Sequence, residues 1–337
     1  MTDLLNAIVA LTNFVIIPAT AYGSQLALGA LGVTLIYGIL RFSNFAHGDT
    51  MAFGTMATIL ITWGFQAMGL SFGVLPTALL ALPFGIVVTS LLVLGTDKVV
   101  YSYYRRVKAK PIVLVMASIG VMFVLNGVVR LIIGPGDQRF TDGERFIFNA
   151  GDFKEGAGLA EGMAFKTTQG ITIITAALVV AALFWFLNRT RTGKSMRAYS
   201  DNEDLALLSG INPERVVMIT WIIVAALATI AGVLYGLDKS FKPFTYFQLL
   251  LPIFASAIVG GLGSPLGAIA GGFVIAFSEV FVTYAWKKVV TYVVPEAWEP
   301  SGLLQLLGTD YKFAVSFAIL VIVLLFKPTG LFKGKSV

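Results

Sequence analysis

The chain has no cysteine and a single histidine, and only 12% of its 337 residues are charged. The lack of cysteine excludes disulfides, cysteine metal sites and thiol chemistry. The one histidine, His47, cannot form a histidine-based metal site alone. There is also no G-x-S-x-G, H-E-x-x-H or P-loop pattern. We therefore predict that the chain is not an enzyme and carries no metal or cofactor.

Apolar residues dominate the composition. They make up 57% of the chain, and the mean hydropathy is +0.85. The chain is therefore far more apolar than a soluble domain. Runs of about 20 apolar residues can cross roughly 30 Å of hydrocarbon as helix. The sequence predicts an all-α polytopic membrane protein, one domain over 1–337, with broken or re-entrant segments. Its ten predicted spans are 4–20, 22–41, 49–67, 73–96, 112–133, 169–188, 214–236, 247–262, 265–285 and 311–327.

Lysine and arginine are concentrated in a few connecting segments, which indicates their side of the membrane. The 98–110 loop, the 189–215 segment and the C-terminal tail are basic, whereas the long 134–168 loop is mixed and acidic. Ten crossings with both termini inside place every basic segment in the cytoplasm and 134–168 outside. The basic residues are Lys98, Arg105, Arg106, Lys108, Lys110, Arg189, Arg191, Lys194, Arg197, Arg215, Lys327, Lys333 and Lys335.

A short charged helix between two apolar spans is predicted within residues 189–213. Ser200 and Glu203 form an S-x-x-E pattern typical of a capping box, and Asp201 and Asp204 add acid to the first turn. Gly210 suits a helix C-terminus, and Asn212-Pro213 suits the start of the next helix. Spacing alone leaves two readings open, a solvated interhelical loop and a docking element.

Two further stretches interrupt the apolar pattern. In 260–272, Gly263, Gly267 and Gly271 recur every four residues, which favours close helix packing. In 41–54, Asn44, His47 and Asp49 break two apolar runs at one place, where polar groups must reach water or a cavity enclosed by protein.

Within the spans, Glu279 is the best ionisable candidate for a solute pathway. His47, as a lone histidine, also fits a structural role. Ser118 and Asn126, eight residues apart on one helix face, are interpreted as interhelical hydrogen-bonding residues.

Three stretches together carry a family resemblance: LGVTLIYGILRFSNFAHGD at 31–49, MRAYSDNEDLALLSGINPERV at 196–216 and AIVGGLGSPLGAIAGGFVIAFSE at 257–279. They resemble, in order and over essentially the whole chain, the LivH-type permease subunits of branched-chain amino acid ABC transporters. The NFAHGD element is the most specific of them.

The resemblance implies a cytoplasmic coupling helix at 196–210, with Arg197, Ser200, Glu203, Asp204 and Gly210 as coupling residues. It also implies an inner-membrane location, a second homologous permease, two ATP-binding subunits and a periplasmic solute-binding protein.

The resemblance leaves the solute open among leucine, isoleucine, valine, other amino acids, urea and short amides. Two features depart from the family pattern: the length of the 134–168 loop, and Arg41 in front of NFAHGD. The alternative function is a passive channel or secondary carrier for a small neutral solute, which would need no docking helix. No proton-relay chain stands out among the spans, which counts against a proton-coupled carrier.

Overall fold

The computed structural model describes residues 2–294 and 302–332, and these are mostly helical. Eight helices among them are long and apolar enough to cross a membrane. The predicted fold class, an all-α polytopic membrane protein, is therefore confirmed. The tail residues Lys333 and Lys335, used above to assign sidedness, lie outside the described residues.

Fifteen α-helices and one small hairpin make up the described chain. In order they are α1 (Thr2–Leu11), α2 (Ile17–Leu40), α3 (His47–Ala67), α4 (Ala78–Thr96), α5 (Ser102–Arg106), α6 (Pro111–Ile133), β1 (Phe146–Phe148), α7 (Ala150–Ala157), β2 (Phe165–Lys166), α8 (Thr167–Arg189), α9 (Arg191–Asp201), α10 (Glu203–Leu208), α11 (Pro213–Lys239), α12 (Pro243–Gly260), α13 (Pro265–Thr283), α14 (Lys287–Val293) and α15 (Lys312–Phe326). Strands β1 and β2 pair antiparallel within the 134–168 loop.

The first two predicted spans are wrong as separate crossings. The chain is helical without a break from Thr2 to Leu40, 39 residues, or about 58 Å at 1.5 Å per residue. A π-helical segment, Thr12–Ile16, joins α1 to α2 just before Pro18. A local change of helix type thus accommodates the proline, which lacks an N–H, without ending the helix. The predicted 4–20 and 22–41 spans form one long helix.

Helices α12 and α13 form an antiparallel pair rather than a shallow re-entrant loop. They contain 18 and 19 residues, and each is long enough to cross the bilayer. The Ser264 side chain caps α13 by accepting from Gly267 N, and Pro265 occupies the first turn. Ser264 and Pro265 thus mark the end of the turn and the start of α13.

The helix bundle has two opposite ends, which are called the loop face and the segment face after the connecting segments that they carry. The loop face carries the 134–166 connection, and the segment face carries α9 and α10. Asn6 accepts from the backbone N–H of Glu161, and Asn13 from that of Ala164, so α1 lies at the loop face.

At the other end of the chain, Leu331 N donates to Val259 O near the end of α12, beside the α12–α13 turn at the segment face. The described ends of the chain therefore lie at opposite faces. This arrangement differs from the predicted one, in which both termini share a side, and the side that each terminus faces stays a prediction.

Helix α2 lies at the centre of the bundle and packs against α11, α12, α13 and α8. Most of its residues from Ala19 to Leu40 are buried. The packing of α12 on α13 depends on glycine: Gly267 contacts Gly260, and Gly271 contacts the Ser256 carbonyl. Gly263 belongs to the turn before α13 and has a φ of +84°. Of the three glycines predicted to favour close helix packing, only Gly267 and Gly271 thus face the neighbouring helix.

Candidate functional site

The NFAHGD stretch forms an elbow between α2 and α3. Arg41 ends α2 in the left-handed region, with a φ of 57°. The chain then runs without helix until His47 begins α3. The Asn44 side-chain oxygen accepts from Ala46 N at 3.1 Å and from the Tyr101 hydroxyl at 3.3 Å. Asn44 thus fixes the shape of the elbow and ties it to the end of α4.

The elbow's polar groups are enclosed by protein, not lipid. His47 and Asp49 are both 0% exposed. Asn126 of α6 donates to Asp49 Oδ1 at 2.7 Å, and Ser118 accepts from Phe45 N at 3.1 Å. The interpretation as an interhelical hydrogen-bonding residue is confirmed for Asn126, whereas Ser118 binds the non-helical part of the elbow.

His47 fits against Gly32 of α2, where a Cβ would lie 2.5 Å from the imidazole Cε1. Asp49 Oδ2 has no hydrogen-bond partner within the described residues. Buried polar atoms without partners are costly, so such a group needs a role or a ligand. Glu279 Oε2 likewise lacks a partner among the described residues, so the elbow and Glu279 both stay predicted contacts for a polar solute.

Replacing Asn126 with leucine is expected to lower the Tm of the purified protein. The change leaves the Asp49 carboxylate buried without its donor, at a cost of about 1–3 kcal/mol. The double variant Asp49→Leu/Asn126→Leu is the matched control, because removing both partners costs less than leaving one unpaired. Equal Tm values for Asn126→Leu and the unmodified protein would show that the 2.7 Å contact is not stabilising.

Glu279 does not join the elbow. It is 1% exposed on α13, and Ser316 of α15 donates to its Oε1 atom. Tyr22 of α2 lies beside it, with Lys312 over the Tyr22 ring at 5.8 Å. Tyr22 and Gly32 are ten residues apart on α2, about 15 Å along its axis. The four predicted pathway residues thus form two groups, Asn44, His47 and Asp49 in one and Glu279 in the other.

Sequence reasoning missed the aromatic and charged contacts beneath the elbow. Tyr101 stacks on Trp221 of α11 with centroids 5.4 Å apart, and Trp221 Nε1 donates to Asp97 at 2.7 Å. Asp97 also pairs with Arg105 through both carboxylate oxygens. Only the acid at the end of an apolar run signals this network in the sequence. It connects the elbow to the basic 98–110 loop.

Residues 189–213 form two helices, not one, and the predicted capping box is wrong. Ser200 lies inside α9, and the N-cap of α10 is Asn202, whose side chain accepts from Leu205 N at 3.1 Å. Glu203 instead accepts from the Tyr199 hydroxyl at 2.7 Å. Burial and this bond to Glu203 raise the pKa of Tyr199.

The predicted capping box does not form because Ser200 makes a tertiary contact. The Ser200 hydroxyl donates to Gly38 O of α2 at 3.0 Å instead of capping a helix.

Two other predictions for this segment agree with the structure. Gly210 has a φ of +79° after α10, and Asn212 caps α11 by accepting from Arg215 N. Asp204 lies in the first turn of α10, whereas Asp201 ends α9. Arg197 donates to Asn188 at 2.9 Å and so ties α9 to the end of α8.

Helix α9 is bound directly to the end of α2. The Arg41 guanidinium donates to the Ser200 carbonyl at 2.5 Å, close to the Ser200 contact with Gly38. Arg41 and Gly38 belong to the last turn of α2, immediately before the elbow. These two contacts join α9 to the α2 end that leads into Asn44 and His47.

The outer surface of α10 is apolar although its sequence begins with two acids. Leu205 is 61% exposed, Leu207 43% and Leu208 85%. The buried residue of this helix is Ala206. Three exposed leucines on a polar connecting segment are a surface that another protein could cover.

The loop face is held together by two carboxylates. Asp142 accepts from Gln66 at the end of α3 and from Thr77 N before α4. Glu161 pairs with Lys288 of α14 at 2.7 Å and accepts from Tyr292 at 2.7 Å. Burial disfavours each ionised carboxylate, but these hydrogen bonds outweigh it and lower the pKa of both Asp142 and Glu161.

The Glu161 contact predicts a pH dependence of α14. A lowered folded-state pKa stabilises the fold above the unfolded pKa, about 4.3, and this stabilisation is lost as the pH falls through the folded value. The protection of the Lys287–Val293 amides, taken relative to their intrinsic exchange rate at each pH, is therefore expected to stay high above about pH 5 and to fall below about pH 4. Glu161→Gln should remove this acid-dependent step. An identical step in the variant would assign it to another group.

Comparison with known proteins decides the family. A model of the family described as "Branched-chain amino acid transport system / permease component" matches residues 15–324. The chain belongs to this family. It is thus a multi-pass permease subunit of an ABC transporter, a type of protein that works with ATPase and substrate-binding partners.

Curated relatives of this permease match over nearly their whole length. It is 31% identical to the high-affinity branched-chain amino acid transport system permease protein LivH of Escherichia coli K12, over 92% of this chain and 91% of that one. It is 28% identical to BraD of Pseudomonas aeruginosa, described in the same words, over 92% of each chain. It is also 28% identical to the probable permease LivH of Methanocaldococcus jannaschii, over 93% of this chain and 90% of that one.

Among solved structures, PsaBC from Streptococcus pneumoniae in complex with Fab aligns over 97% of this permease and 98% of that chain. Its TM-score is 0.49 at 12% identity, too low to carry an argument.

Proposed function

We propose that this permease passes branched-chain amino acids across the bacterial inner membrane and that separate ATPase subunits power the transport. The names of the relatives support this solute class. The observation that carries the mechanism is the segment α9–α10, which is bound to the end of α2 and turns three leucines outward. A passive channel has no use for such a surface.

The outward leucines form the proposed ATPase contact. Apolar side chains on a polar segment gain free energy when a partner covers them. The neighbouring coupling residues have different roles in this proposal. Ser200 holds α9 to α2, Arg197 holds it to α8, and Glu203 orients Tyr199. Asp204 and Gly210 begin and end the short helix that presents the leucines.

The segment face is the proposed cytoplasmic side. Arg105 and Arg106 in α5, with Lys108 and Lys110 after it, belong to the same end of the bundle as Asp97 and Trp221. A cluster of cations in a short loop favours the cytoplasm. The C-terminal end of α15 shares this side, whereas α1 lies with 134–166 on the outer side.

The proposed assembly contains a second homologous permease, two ATP-binding subunits and a periplasmic solute-binding protein. In this arrangement 1–337 is one transmembrane domain, 134–168 is its periplasmic loop and 189–213 its cytoplasmic coupling segment. The binding protein would rest on the loop face, where Asp142 and Glu161 fix the connecting segments to α3, α4 and α14. No cofactor takes part in this chain; ATP binds to the partners.

The proposed cycle is alternating access. ATP-driven closure of the ATPases moves α9 and α10, and the contacts of Ser200 and Arg41 carry this motion to the end of α2. The elbow then reorients, which exposes Asn44, His47 and Asp49 to the solute path. Glu279 takes part from a separate place, between α2, α13 and α15.

Reconstitution of the whole complex tests this function. The permease pair, the ATPases and the binding protein are placed in proteoliposomes, and uptake of leucine and urea is measured with and without ATP. ATP-dependent leucine uptake that unlabelled valine inhibits and urea does not is expected. Uptake of urea in preference to leucine would replace the proposed solute, and failure of the ATPases to co-purify would reject the proposed assembly.

A further inference from the structure

A cleft separates α9 from the end of α2 at the segment face. It has a volume of about 190 Å³ and lies between α2, the end of α8, α9 and the α12–α13 turn. This is smaller than the roughly 300–1,000 Å³ of pockets for drug-sized ligands. The cleft is thus of a size for one small molecule and too small for a nucleotide or a peptide.

The open end of the cleft is charged with both signs. Arg197 and Asp201 line it, both on α9 and both exposed, and they are four residues apart on one face of the helix. The Arg197 contact with Asn188 uses one guanidinium N–H, and arginine has five. Asp201 has a partner of its own, but an ionised carboxylate has about four acceptor sites. This end can therefore bind a ligand carboxylate at Arg197 and a ligand ammonium at Asp201.

Inside the cleft, Thr34 provides a hydroxyl that the helix does not use. Eight other buried threonines of these helices donate to the carbonyl four residues earlier, at 2.7–2.8 Å. Thr34 is 1% exposed, lines the cleft, and its hydroxyl has no hydrogen-bond partner among the described residues. Buried side-chain hydroxyls rarely lack a partner, so the Thr34 hydroxyl is available to a ligand in the cleft.

The remaining wall of the cleft is aliphatic. Leu35 and Ile39 of α2, Leu187 of α8 and Met196 of α9 line it, and all four are buried. A branched aliphatic side chain of a ligand would be covered on several sides by these groups, which stabilises its binding by roughly 25 cal/mol per Å² of apolar surface buried. The cleft thus combines a zwitterionic end, one internal hydroxyl and an aliphatic wall.

We propose that this cleft binds a free amino acid with an aliphatic side chain from the ATPase side of the membrane, and that its occupancy slows transport. The carboxylate contacts Arg197, the ammonium contacts Asp201, and the Thr34 hydroxyl completes the polar contacts. The ligand touches α2 and α9 together, so it resists their relative movement. The proposal rests on the proposed function, since it takes α9 to be part of the coupling segment; it adds feedback by the accumulated solute.

The test uses the complete complex in proteoliposomes with the ATPases facing the bath. Binding protein and radiolabelled valine are enclosed in the lumen, and ATP is added outside. ATP-driven release of valine is measured while unlabelled L-leucine is raised in the bath, on the side of the cleft. Release is expected to fall in a saturable way to a small fraction of its starting rate.

Two ligand analogues test the zwitterionic end. Isocaproate has the leucine carbon skeleton and carboxylate without the ammonium, and isoamylamine has the ammonium without the carboxylate. Each is expected to require a concentration at least tenfold higher than leucine for half-inhibition. Inhibition by either analogue at the leucine concentration would overturn the assignment of an amino acid ligand.

Thr34→Val tests the internal hydroxyl while keeping the side-chain volume. Its half-inhibitory leucine concentration is expected to rise about fivefold, as for the loss of one hydrogen bond. Thr20→Val is the matched control, because Thr20 is also on α2 but donates to Ile16 O at 2.8 Å, away from the cleft. Equal concentrations for Thr34→Val and Thr20→Val would overturn the role of Thr34 and of the cleft.

The failures of the two proposals are distinguishable. If ATP does not drive valine release in the unmodified complex, the proposed function is rejected, and the feedback site with it. ATP-driven release that stays constant at every bath concentration of leucine rejects the feedback site alone.

Discussion

ATP-driven uptake is expected to fall at least thirtyfold when Leu208 is replaced by glutamate. Leu208 is 85% exposed at the end of α10, and Leu205 and Leu207 continue the same apolar surface. Removing a central apolar side chain from an interface weakens the binding free energy by about 2 kcal/mol or more, which is roughly thirtyfold in affinity. A carboxylate adds the cost of burying an unpaired charge. The ATPases should therefore separate from the permease during purification.

Leu208→Met is the matched control, because methionine keeps the apolar surface and a similar volume. Its uptake and ATPase co-purification are expected to match those of the unmodified protein. The Tm of the free permease should be equal in both variants, since Leu208 contributes to no buried cluster among the described residues. Normal co-purification of the ATPases with Leu208→Glu would show that they dock elsewhere.

Gly271→Ala is expected to destabilise the permease by about 3 kcal/mol or more, at the upper end of overpacking effects. A methyl group at Gly271 would overlap the Ser256 carbonyl and lie 2.9 Å from Gly260 N. Both contacts are backbone atoms of α12, so no side chain can move aside. The pair α12–α13 must separate, and with it the packing of both helices on α2. The Tm and the yield of monodisperse protein measure this effect.

Gly127→Ala provides the control for the same substitution. Gly127 lies in α6, and a Cβ there meets nothing within 4 Å. Alanine favours helix over glycine by about 1 kcal/mol in peptides. The Gly127 variant should therefore keep or raise the Tm. Equal Tm values for the Gly271 and Gly127 variants would contradict the close α12–α13 contact.

Much of the fold follows from the apolar runs. Eight of the predicted spans correspond to α3, α4, α6, α8, α11, α12, α13 and α15. All of these except α3 are long and apolar enough to count as membrane spans by composition and length alone. The predicted boundary between the spans 4–20 and 22–41 is wrong, because Pro18, Asn6 and Asn13 suggest a break in the helix. Asn6 and Asn13 instead bind the backbone of the 134–166 connection. A local pattern cannot show that a distant loop satisfies these side chains.

The candidate site was predictable in part. The polar residues of 44–49 interrupt apolar helices, and that signal is local, so the elbow could be found from the sequence. The contacts that support the elbow could not be found from the sequence, because Tyr101 and Trp221 are far apart in the chain and resemble ordinary interfacial aromatics. Ser200 shows the same limit: its spacing to Glu203 suggests a cap, yet its hydroxyl bonds to Gly38, 162 residues away. Tertiary contacts overrode the local preference.

The nucleotide dependence of uptake tests the proposed function most directly. Leucine uptake is compared in vesicles that hold this permease with all its partners and in vesicles that hold this chain alone. Uptake is expected only with the partners and ATP, because the motion enters through α9 and α10. Full-rate uptake by the chain alone without nucleotide would contradict a transport mechanism driven through these helices.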